Sequence, residues 1–482
     1  MKRGIFTAAC LAFTMALTGC NAAQTATTEN AKGTDTQAGD ATEETQAAEP
    51  VSTGDKQVVV YFANWYLGDK AGAEGGEVAS IPWDKVTYVN HAFFAVEPAD
   101  GSTETTVERR SNGEDARTQF HVVSTAPDKD FEDHTPSEVD PDMERNHFAE
   151  YAAYSKEYPD VNIMLSIGGW SDCGYFSEMA YTKEGRQSFI DSCIEWMDQY
   201  DFIDGIDIDW EYPGGSKDGE RAPESENDQG CPIFGTAAED SVNFAALLSE
   251  LRAAMDEHYG EGVKKLTACA SASTGWTLPM QDWASFAPYL DLINIMTYDL
   301  AGTWDGVTGH ASSMVGAKNA AVYFKVLGID MSKLCIGSPM YGTALLMKDV
   351  PDAKQVVGTS IETYKPNEDE IDETQIRGFE DEALSGYAVT QDGSKWVMGD
   401  AFDKGGTGWH YAFDEKQGAA YLYNDDESSP YYKWYISYEN HLSLQQKLDY
   451  INEAGLAGII VWECSEDTQD HEFISQMSDQ LR

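Results

Sequence analysis

Eight short apolar runs alternate with amphipathic stretches along this chain, and no other feature constrains its fold as strongly. The runs have the length and composition of buried strands and occupy residues 58–62, 86–94, 162–167, 202–208, 265–271, 290–297, 334–340 and 457–462. Between them, apolar residues recur at helical spacing over residues 142–158, 184–200, 238–259, 318–327, 442–454 and 469–481. Because strands joined through helices run parallel and eight such units can close on themselves, the pattern predicts an α/β fold, a (β/α)8 TIM barrel.

Two long segments interrupt the alternation. Residues 97–140, after the second strand, are polar and acidic and predict a long surface loop or a small hairpin. Residues 343–414, between the seventh and the eighth strand, are too long for a simple connection. We therefore expect a catalytic barrel over residues 56–342 and 415–482 and a small inserted domain over residues 343–414. The inserted segment has enough aromatic residues for its own core, namely Tyr364, Phe379, Tyr387, Trp396, Phe402, Trp409 and Tyr411.

Residues 204–213 concentrate negative charge in an apolar frame, with the sequence Asp-Gly-Ile-Asp-Ile-Asp-Trp-Glu-Tyr-Pro. A strand sends alternate side chains to opposite faces, so Asp207, Asp209 and Glu211 share one face. Carboxylates spaced about 7 Å apart repel one another, and some of them should hold or share a proton at neutral pH. A carboxyl group that stays protonated near pH 7 is what general-acid chemistry requires.

Two other interpretations of this stretch are a solvated acidic face and a site for a hard cation. Ile206 and Ile208 bury the segment and argue against the solvated face. Clustered oxygen ligands suit Ca²⁺ or Mg²⁺, but the neighbouring sequence offers no evident further ligands. We therefore expect neither a metal nor another cofactor.

The same stretch resembles the D-G-x-D-x-D-W-E-Y-P signature of the family 18 glycoside hydrolases, the chitinases and their relatives. Further segments resemble motifs of that family in the family's order, at residues 166–170, 296–304, 337–342 and 458–463. The resemblance covers residues 57–482 and implies the same barrel fold. It also places residues 343–414 where larger bacterial chitinases carry an α+β insertion that walls one side of the substrate cleft.

The family resemblance assigns catalytic roles as well. Glu211 is expected to protonate the glycosidic oxygen, while the substrate's own 2-acetamido carbonyl attacks carbon one. Asp209 is expected to stabilise the oxazolinium ion that results, with Asp207 beneath it sharing a proton, and Tyr298 to orient the acetamido group. The resemblance implies substrate binding by Asp299, Trp462, Phe93, Trp304, Trp170, Met296 and Tyr341.

Residues 1–20 are typical of a lipoprotein signal peptide, with basic residues, an apolar core and Leu-Thr-Gly-Cys at the end. Cys20 is then the expected lipidation site, and the alternative is an ordinary secretory signal. Residues 21–55 contain no aromatic residue and predict a disordered acidic linker. We expect an exported protein held by lipid at the extracellular face of a bacterial cell membrane, or secreted.

The formal net charge of −51 argues against nucleic acid as a partner, because nucleic acid requires a basic surface. We expect contact with a membrane only through the lipid anchor, and a monomer. None of the eight cysteines forms a C-x-x-C pair that would indicate zinc or redox chemistry. Cys173 and Cys231 fall in loops that a barrel places at the same face, and export makes a disulfide between them a hypothesis.

The function that these features favour is a chitinase that cleaves β-1,4 links between N-acetylglucosamine units in chitin or its oligosaccharides. One alternative with the same chemistry is an endo-β-N-acetylglucosaminidase that acts on the chitobiose core of N-glycans, or a relative that acts on peptidoglycan. A chitinase-like lectin that binds without cleaving belongs to another class, and such relatives typically lose the acid, which is present here as Glu211. A surface lipoprotein with a purely structural or solute-capturing role would leave the carboxylates unexplained.

Overall fold

The structure is a computed structural model of the 482-residue chain. It describes residues 56–65, 77–137, 141–352, 355–362, 375–376, 387–389, 396–398, 408–429, 431–468 and 470–482. The predicted signal peptide, the lipidation site Cys20 and the linker 21–55 lie outside the described residues. Within those that are described, no helix is both long and apolar enough to cross a membrane.

Eight parallel strands form a closed barrel, which confirms the predicted α/β fold. The barrel closes because its first strand pairs on one side with the second strand and on the other with the last, so that Val59 lies between Tyr88 and Ile460. In chain order the barrel strands are β1 (Gln57–Ala63), β2 (Tyr88–Pro98), β4 (Asn162–Gly168), β5 (Ile203–Asp209), β6 (Lys265–Ser271), β7 (Leu292–Met296), β8 (Leu334–Pro339) and β16 (Gly458–Trp462), with β3 (Phe120–Ser124) at the edge of β2.

Alternation along each barrel strand sorts its side chains between two layers. In β1, Val58, Val60 and Phe62 pack in the layer between barrel and helices, while Val59 and Tyr61 point into the barrel interior. Buried strands of this kind read as nearly continuous apolar runs because both faces are covered. This two-sided burial is why the sequence shows eight largely apolar runs.

The outer layer consists of helices, several of which begin at a polar residue whose side chain caps the first turn. Ser313, for example, accepts a hydrogen bond from the backbone of Gly316, so α7 begins at Met314, four residues before the expected start. The helices are α1 (Thr106–Asn112), α2 (His147–Glu157), α3 (Phe176–Tyr181), α4 (Lys183–Gln199), α5 (Ala237–Tyr259), α6 (Trp283–Phe286), α7 (Met314–Val326), α8 (His441–Ala454) and α9 (Glu472–Leu481).

The polar segment after the second strand contains regular structure. Strand β2 continues to Pro98, four residues beyond the expected end, and its last residues pair antiparallel with β3. Between the two strands lies α1, which Thr105 caps and Gly113 ends in the left-handed conformation. Of the two expectations for this segment, the hairpin is the one observed.

The insertion forms a second, antiparallel sheet outside the barrel. Its order is β10-β9-β15-β14-β13, and a two-stranded sheet joins β11 to β12. The sheet continues past residue 414, where the sequence analysis places the return to the barrel, because β14 and β15 belong to it. The strands are β9 (Gly342–Leu346), β10 (Gln375–Ile376), β11 (Tyr387–Val389), β12 (Trp396–Met398), β13 (Trp409–Asp414), β14 (Ala419–Asn424) and β15 (Trp434–Tyr438).

Candidate active site

The carboxyl groups of Asp207, Asp209 and Glu211 are all buried where β5 ends. Their apolar neighbours Ile206 and Ile208 pack on the opposite side, in the layer between barrel and helices. The expected division of this strand into an acidic face and an apolar face is therefore what the barrel produces, since one face of each strand points inward.

Asp207 lies in the barrel interior and accepts hydrogen bonds from four other strands. Tyr61 and Ser166 donate to Oδ2 at 3.0 and 2.8 Å, while Thr267 and Asn294 donate to Oδ1 at 2.5 and 3.2 Å. Burial raises the pKa of Asp207, and these four donors oppose that shift by stabilising the charged form. The position of this carboxyl is thus fixed from all sides.

Asp209 is nearly inaccessible and its oxygen Oδ1 has no hydrogen-bond partner among the described residues. Burial raises the pKa of Asp209 well above its ordinary value, and the nearby charges of Glu211 and Asp207 raise it further. Burial beside two other carboxyls therefore favours the protonated form of Asp209, because several negative charges are costly together in a low-dielectric site.

Glu211 combines burial with an intermediate acidity. Burial raises its pKa from 4.5 to about 7, with Asp299 raising it and Tyr212 and Arg221 lowering it. The side chain is 8% exposed, so it reaches the mouth of the barrel without being solvated. A carboxyl group with this acidity can donate a proton at neutral pH and accept one afterwards.

Tyr298 reaches the same site from the end of β7. Its ring occupies space that a side chain on β8 would fill, because a Cβ on Gly337 would lie 2.6 Å from its Cε1 atom. The rings of Tyr298 and Tyr341 contact edge to face at 6.3 Å. The Tyr341 hydroxyl donates to Asp299 Oδ1 at 2.7 Å, which holds that carboxylate beside the tyrosines.

Phe93 and Trp462 form an aromatic platform together with Trp65. The rings of Phe93 and Trp462 stack with centroids 5.5 Å apart and an interplanar angle of 18°. Trp65 lies 6.2 Å from Phe93 and 6.1 Å from Trp462 and is 41% exposed, so the platform extends to the solvent. Apolar sugar faces stack on such surfaces.

Two consecutive glycines at the end of β4 allow this close packing. Gly168 and Gly169 have φ values of 113° and 81°, which residues other than glycine rarely adopt. A Cβ on Gly168 would lie 2.2 Å from the carbonyl oxygen of Asp209, and one on Gly169 would lie 2.5 Å from the Phe93 ring. The chain at these glycines therefore passes directly against the backbone of Asp209 and the Phe93 ring of the platform.

The other three predicted binding residues have fewer contacts with the carboxyls and the aromatic platform. Met296 packs against the barrel-interior cluster that contains Phe93 and Tyr298. Trp170 is 42% exposed, and the Arg221 guanidinium lies 4.0 Å from its ring centroid. Trp304 is 69% exposed and lies outside that cluster.

Several residues of this site escaped the sequence analysis. Tyr61, Thr267 and Asn294 lie within apolar strand runs, and each donates a hydrogen bond to Asp207. Polar residues at inward positions of otherwise apolar strands are the signal that could have identified them. Trp65 and Arg221 lie in loops, where no periodicity marks a residue as part of a site.

The hypothesis of a disulfide between Cys173 and Cys231 is not what the structure contains, since both are free, buried thiols. Cys173 Sγ accepts a hydrogen bond from the backbone of Glu211 at 3.2 Å, and Cys231 Sγ accepts one from the indole of Trp210 at 3.3 Å. Each thiol thus supports the backbone or side chain of the acidic stretch.

Among the described residues, a group with the composition of a metal site lies away from these carboxyls. Ligand atoms of His91, Asp130 and His147 approach one another within 4.8 Å, and all three residues are buried. They pack with Phe62 and Phe148 on the outer side of β2.

Comparisons with protein families and with individual known proteins point to the same family. A family model described as Glycosyl hydrolases family 18 matches residues 57–467. The chain is 25% identical over 449 residues to chitinase A of Pseudoalteromonas piscicida, and the aligned region covers 85% of this chain and 50% of that protein. It is 28% identical over 339 residues to chitinase A1 of Niallia circulans, and this aligned region covers 64% of this chain and 41% of that protein. The chain thus spans half the length or less of these two relatives.

The fold also matches solved structures. The group IV chitinase of Ostrinia furnacalis, in complex with allosamidin, superposes with a TM-score of 0.66 at 22% identity, over 88% of this chain and 98% of that one. At this identity the likeness supports the fold alone. The family model, in contrast, extends from the first barrel strand past the last one, and the chain therefore belongs to the glycosyl hydrolases of family 18.

Proposed function

We propose that this protein is a chitinase that hydrolyses β-1,4 links between N-acetylglucosamine units with retention of configuration. One observation supports this most directly: three buried carboxyls share the mouth of a closed barrel, and burial raises the pKa of Glu211 to about 7. Membership of family 18 and the chitinases among its relatives agree with the proposal.

In the proposed first step, Glu211 donates its proton to the oxygen that bridges two sugars. Ordinary retaining enzymes place a second carboxylate as the nucleophile, whereas family 18 enzymes use the substrate itself. The 2-acetamido carbonyl oxygen attacks carbon one as the bond to the leaving sugar breaks, and an oxazolinium ion forms. Water, deprotonated by the Glu211 carboxylate, then opens this ion and restores the proton to Glu211.

Asp209 hydrogen-bonds the acetamido N–H in this scheme and stabilises the positive charge that develops. Its buried position supports the role, since charge interactions are stronger where water is excluded. Asp207 supports Asp209 from below and shares its proton. Tyr298 orients the acetamido group, and Asp299, held by the Tyr341 hydroxyl, binds the same sugar.

Phe93, Trp462 and Trp65 supply the surface on which the sugar stacks. Their stacked rings form a continuous apolar face beside the carboxyls, which suits a neutral sugar with axial hydrogens. Trp170 and Trp304, both exposed, are proposed to bind sugars further along the chain of substrate, with Met296 and Tyr341 lining the site.

We further propose an exported protein anchored by lipid at Cys20, which acts as a monomer outside the bacterial membrane. The support is the signal-peptide pattern of residues 1–20 and the aromatic-free composition of residues 21–55.

Digestion of chitin hexamer beside a high-mannose glycoprotein tests the proposed substrate. We expect shorter N-acetylglucosamine oligosaccharides from the hexamer and no release of glycan from the glycoprotein. Glu211→Gln should abolish most of this turnover while oligosaccharide binding persists, and Glu226→Gln, an exposed carboxyl of the following loop, serves as the matched control. Release of the glycan alone would identify the N-glycan enzyme instead, and binding without any cleavage by the unmodified protein would identify a lectin.

A further inference from the structure

Strand β2 contains an irregularity at the residue that forms the aromatic platform. Its pairing with β4 runs from Ala92 opposite Ser166 directly to Phe94 opposite Ile167, so Phe93 is an extra residue without a partner in β4. Such a bulge redirects side chains and interrupts the hydrogen bonds of the ladder. Here it turns Phe93 toward the barrel interior and leaves Phe94 in the outer layer.

The side chain of Asn64 replaces the missing strand partner of Phe93. Its Nδ2 donates to the Phe93 carbonyl at 3.0 Å, and its Oδ1 accepts the Phe93 N–H at 3.1 Å. The Thr125 hydroxyl donates to the same carbonyl at 2.7 Å. Side chains therefore bond both backbone groups of the bulged residue, and the Thr125 N–H is a further donor to its carbonyl at 3.3 Å, which fixes the backbone that carries the platform ring.

Asp130 in turn orients the amide of Asn64. Asp130 Oδ2 accepts hydrogen bonds from Asn64 Nδ2 at 3.2 Å and from the Ser124 hydroxyl at 2.5 Å. Because an amide must present its NH₂ to the carboxylate, Asp130 selects the orientation in which Asn64 Oδ1 faces the Phe93 N–H. The other carboxylate oxygen of Asp130, its Oδ1, lies 2.8 Å from His147 Nδ1 and 3.0 Å from His91 Nε2.

The two imidazoles hold the Asp130 carboxylate in its charged form. Burial on its own raises the pKa of Asp130, but His91 and His147 outweigh it and hold the pKa below the ordinary value. His91 is anchored through its Nδ1, which lies 3.1 Å from the Tyr151 hydroxyl. Asn64, Ser124 and His147 make hydrogen bonds to the two carboxylate oxygens, whereas His91 Nε2 approaches Oδ1 only as an ion-pair contact. The group thus has the arrangement of a hydrogen-bond network, although its composition alone would also suit a metal.

We propose that Asn64 and Asp130, supported by His91 and His147, are positioning residues that fix Phe93 in the stacked geometry needed for binding the reacting sugar. This inference rests on the proposed function, since it concerns how the same site binds a chitin oligosaccharide. None of the four residues touches the substrate in this proposal; each acts through Phe93.

A double-mutant cycle between Asp130→Asn and Phe93→Ala tests the coupling. Binding of chitin tetramer is measured by titration calorimetry in a Glu211→Gln background, where no turnover occurs. We expect Asp130→Asn to weaken binding roughly three- to tenfold, the worth of one stacking contact. The same substitution should have no further effect once Phe93→Ala is present. Additive effects, or full affinity in Asp130→Asn, would overturn the proposal.

A ligand-free measurement separates failure of this inference from failure of the proposed function. Near-ultraviolet circular dichroism reports the stacked rings of Phe93, Trp462 and Trp65 without any sugar. Asp130→Asn should change this signal in the same direction as Phe93→Ala, and the exposed Asp128→Asn on the same turn should leave it unchanged. An unchanged signal in Asp130→Asn overturns the positioning role whether or not the protein cleaves chitin.

Two further arms complete the test. If Asp130→Asn does not fold, Thr125→Val removes one donor to the Phe93 carbonyl at an exposed position. It is expected to weaken binding in the same non-additive manner, and additivity with Phe93→Ala would again overturn the proposal. Metal analysis of the purified protein should find less than stoichiometric metal, whereas one bound ion per chain that is lost in Asp130→Asn would make the two imidazoles ligands and refute the network.

Discussion

The acidity of Glu211 makes a quantitative prediction for the pH dependence of catalysis. At its ordinary pKa of 4.5, only about 0.3% of this carboxyl would be protonated at pH 7, whereas at a pKa of about 7 half of it is. The buried site thus supplies roughly 150 times more acid at neutral pH, which corresponds to about 3 kcal/mol. We therefore expect kcat/KM to remain high up to about pH 7 and then to fall about tenfold per pH unit.

The assay is the hydrolysis of an aryl chitobioside between pH 4 and 9, with kcat/KM determined at each pH. Because the acid shares its site with Asp207 and Asp209, the descending limb reports a value of the group of carboxyls and not of one residue alone. Glu211→Gln should lower kcat/KM by about 10²- to 10⁴-fold and remove the limb. The decrease in kcat/KM caused by Glu211→Gln should be smaller for a substrate whose leaving group is an acidic phenol, because such a group departs without protonation.

Arg221 provides a second, directional test of the same reasoning. Its positive charge lowers the pKa of Glu211, so Arg221→Gln should move the descending limb to higher pH. Loss of the stacking contact with Trp170 affects KM but not the position of the limb. A limb near pH 5 in the unmodified protein, a shift to lower pH in Arg221→Gln, or near-normal rates in Glu211→Gln would each refute the reasoning.

Three other perturbations have definite expected outcomes. Burial raises the pKa of Glu150 from 4.5 to about 8, so the unfolded chain loses this proton first and the free energy of unfolding should fall by about 1.4 kcal/mol per pH unit across that window. Glu150→Gln should flatten the profile in calorimetric melts from pH 4 to 8, and an unchanged slope would contradict this assignment. Gly337→Ala would place its Cβ 2.6 Å from the Tyr298 ring, so kcat should fall at least about tenfold with little change in the circular dichroism spectrum. Trp462→Ala should raise KM for chitin hexamer more than Trp304→Ala does, because Trp462 belongs to the stacked platform whereas Trp304 is 69% exposed; equal effects would count against the platform.

The sequence determined the architecture because burial on both faces of a strand leaves a largely apolar run. Eight such runs and their intervening helices predicted the barrel, and the alternation along the acidic strand predicted that Asp207 and Asp209 would share one face of it. The sequence determined the domain boundaries less well, since the second sheet includes Ala419–Asn424 and Trp434–Tyr438, which pattern alone assigned to the barrel.

Tertiary structure decided everything that depends on residues far apart in the chain. The donors to Asp207 come from β1, β4, β6 and β7, and no local pattern connects them. The bulge at Phe93 and its support by Asn64 and Asp130 arise only when three distant segments meet. The pKa of Glu211 likewise depends on burial, which a sequence does not record. Local periodicity specifies which face of a strand is polar. The hydrogen bonds and pKa values of the side chains on that face depend on neighbours that only the closed barrel brings together.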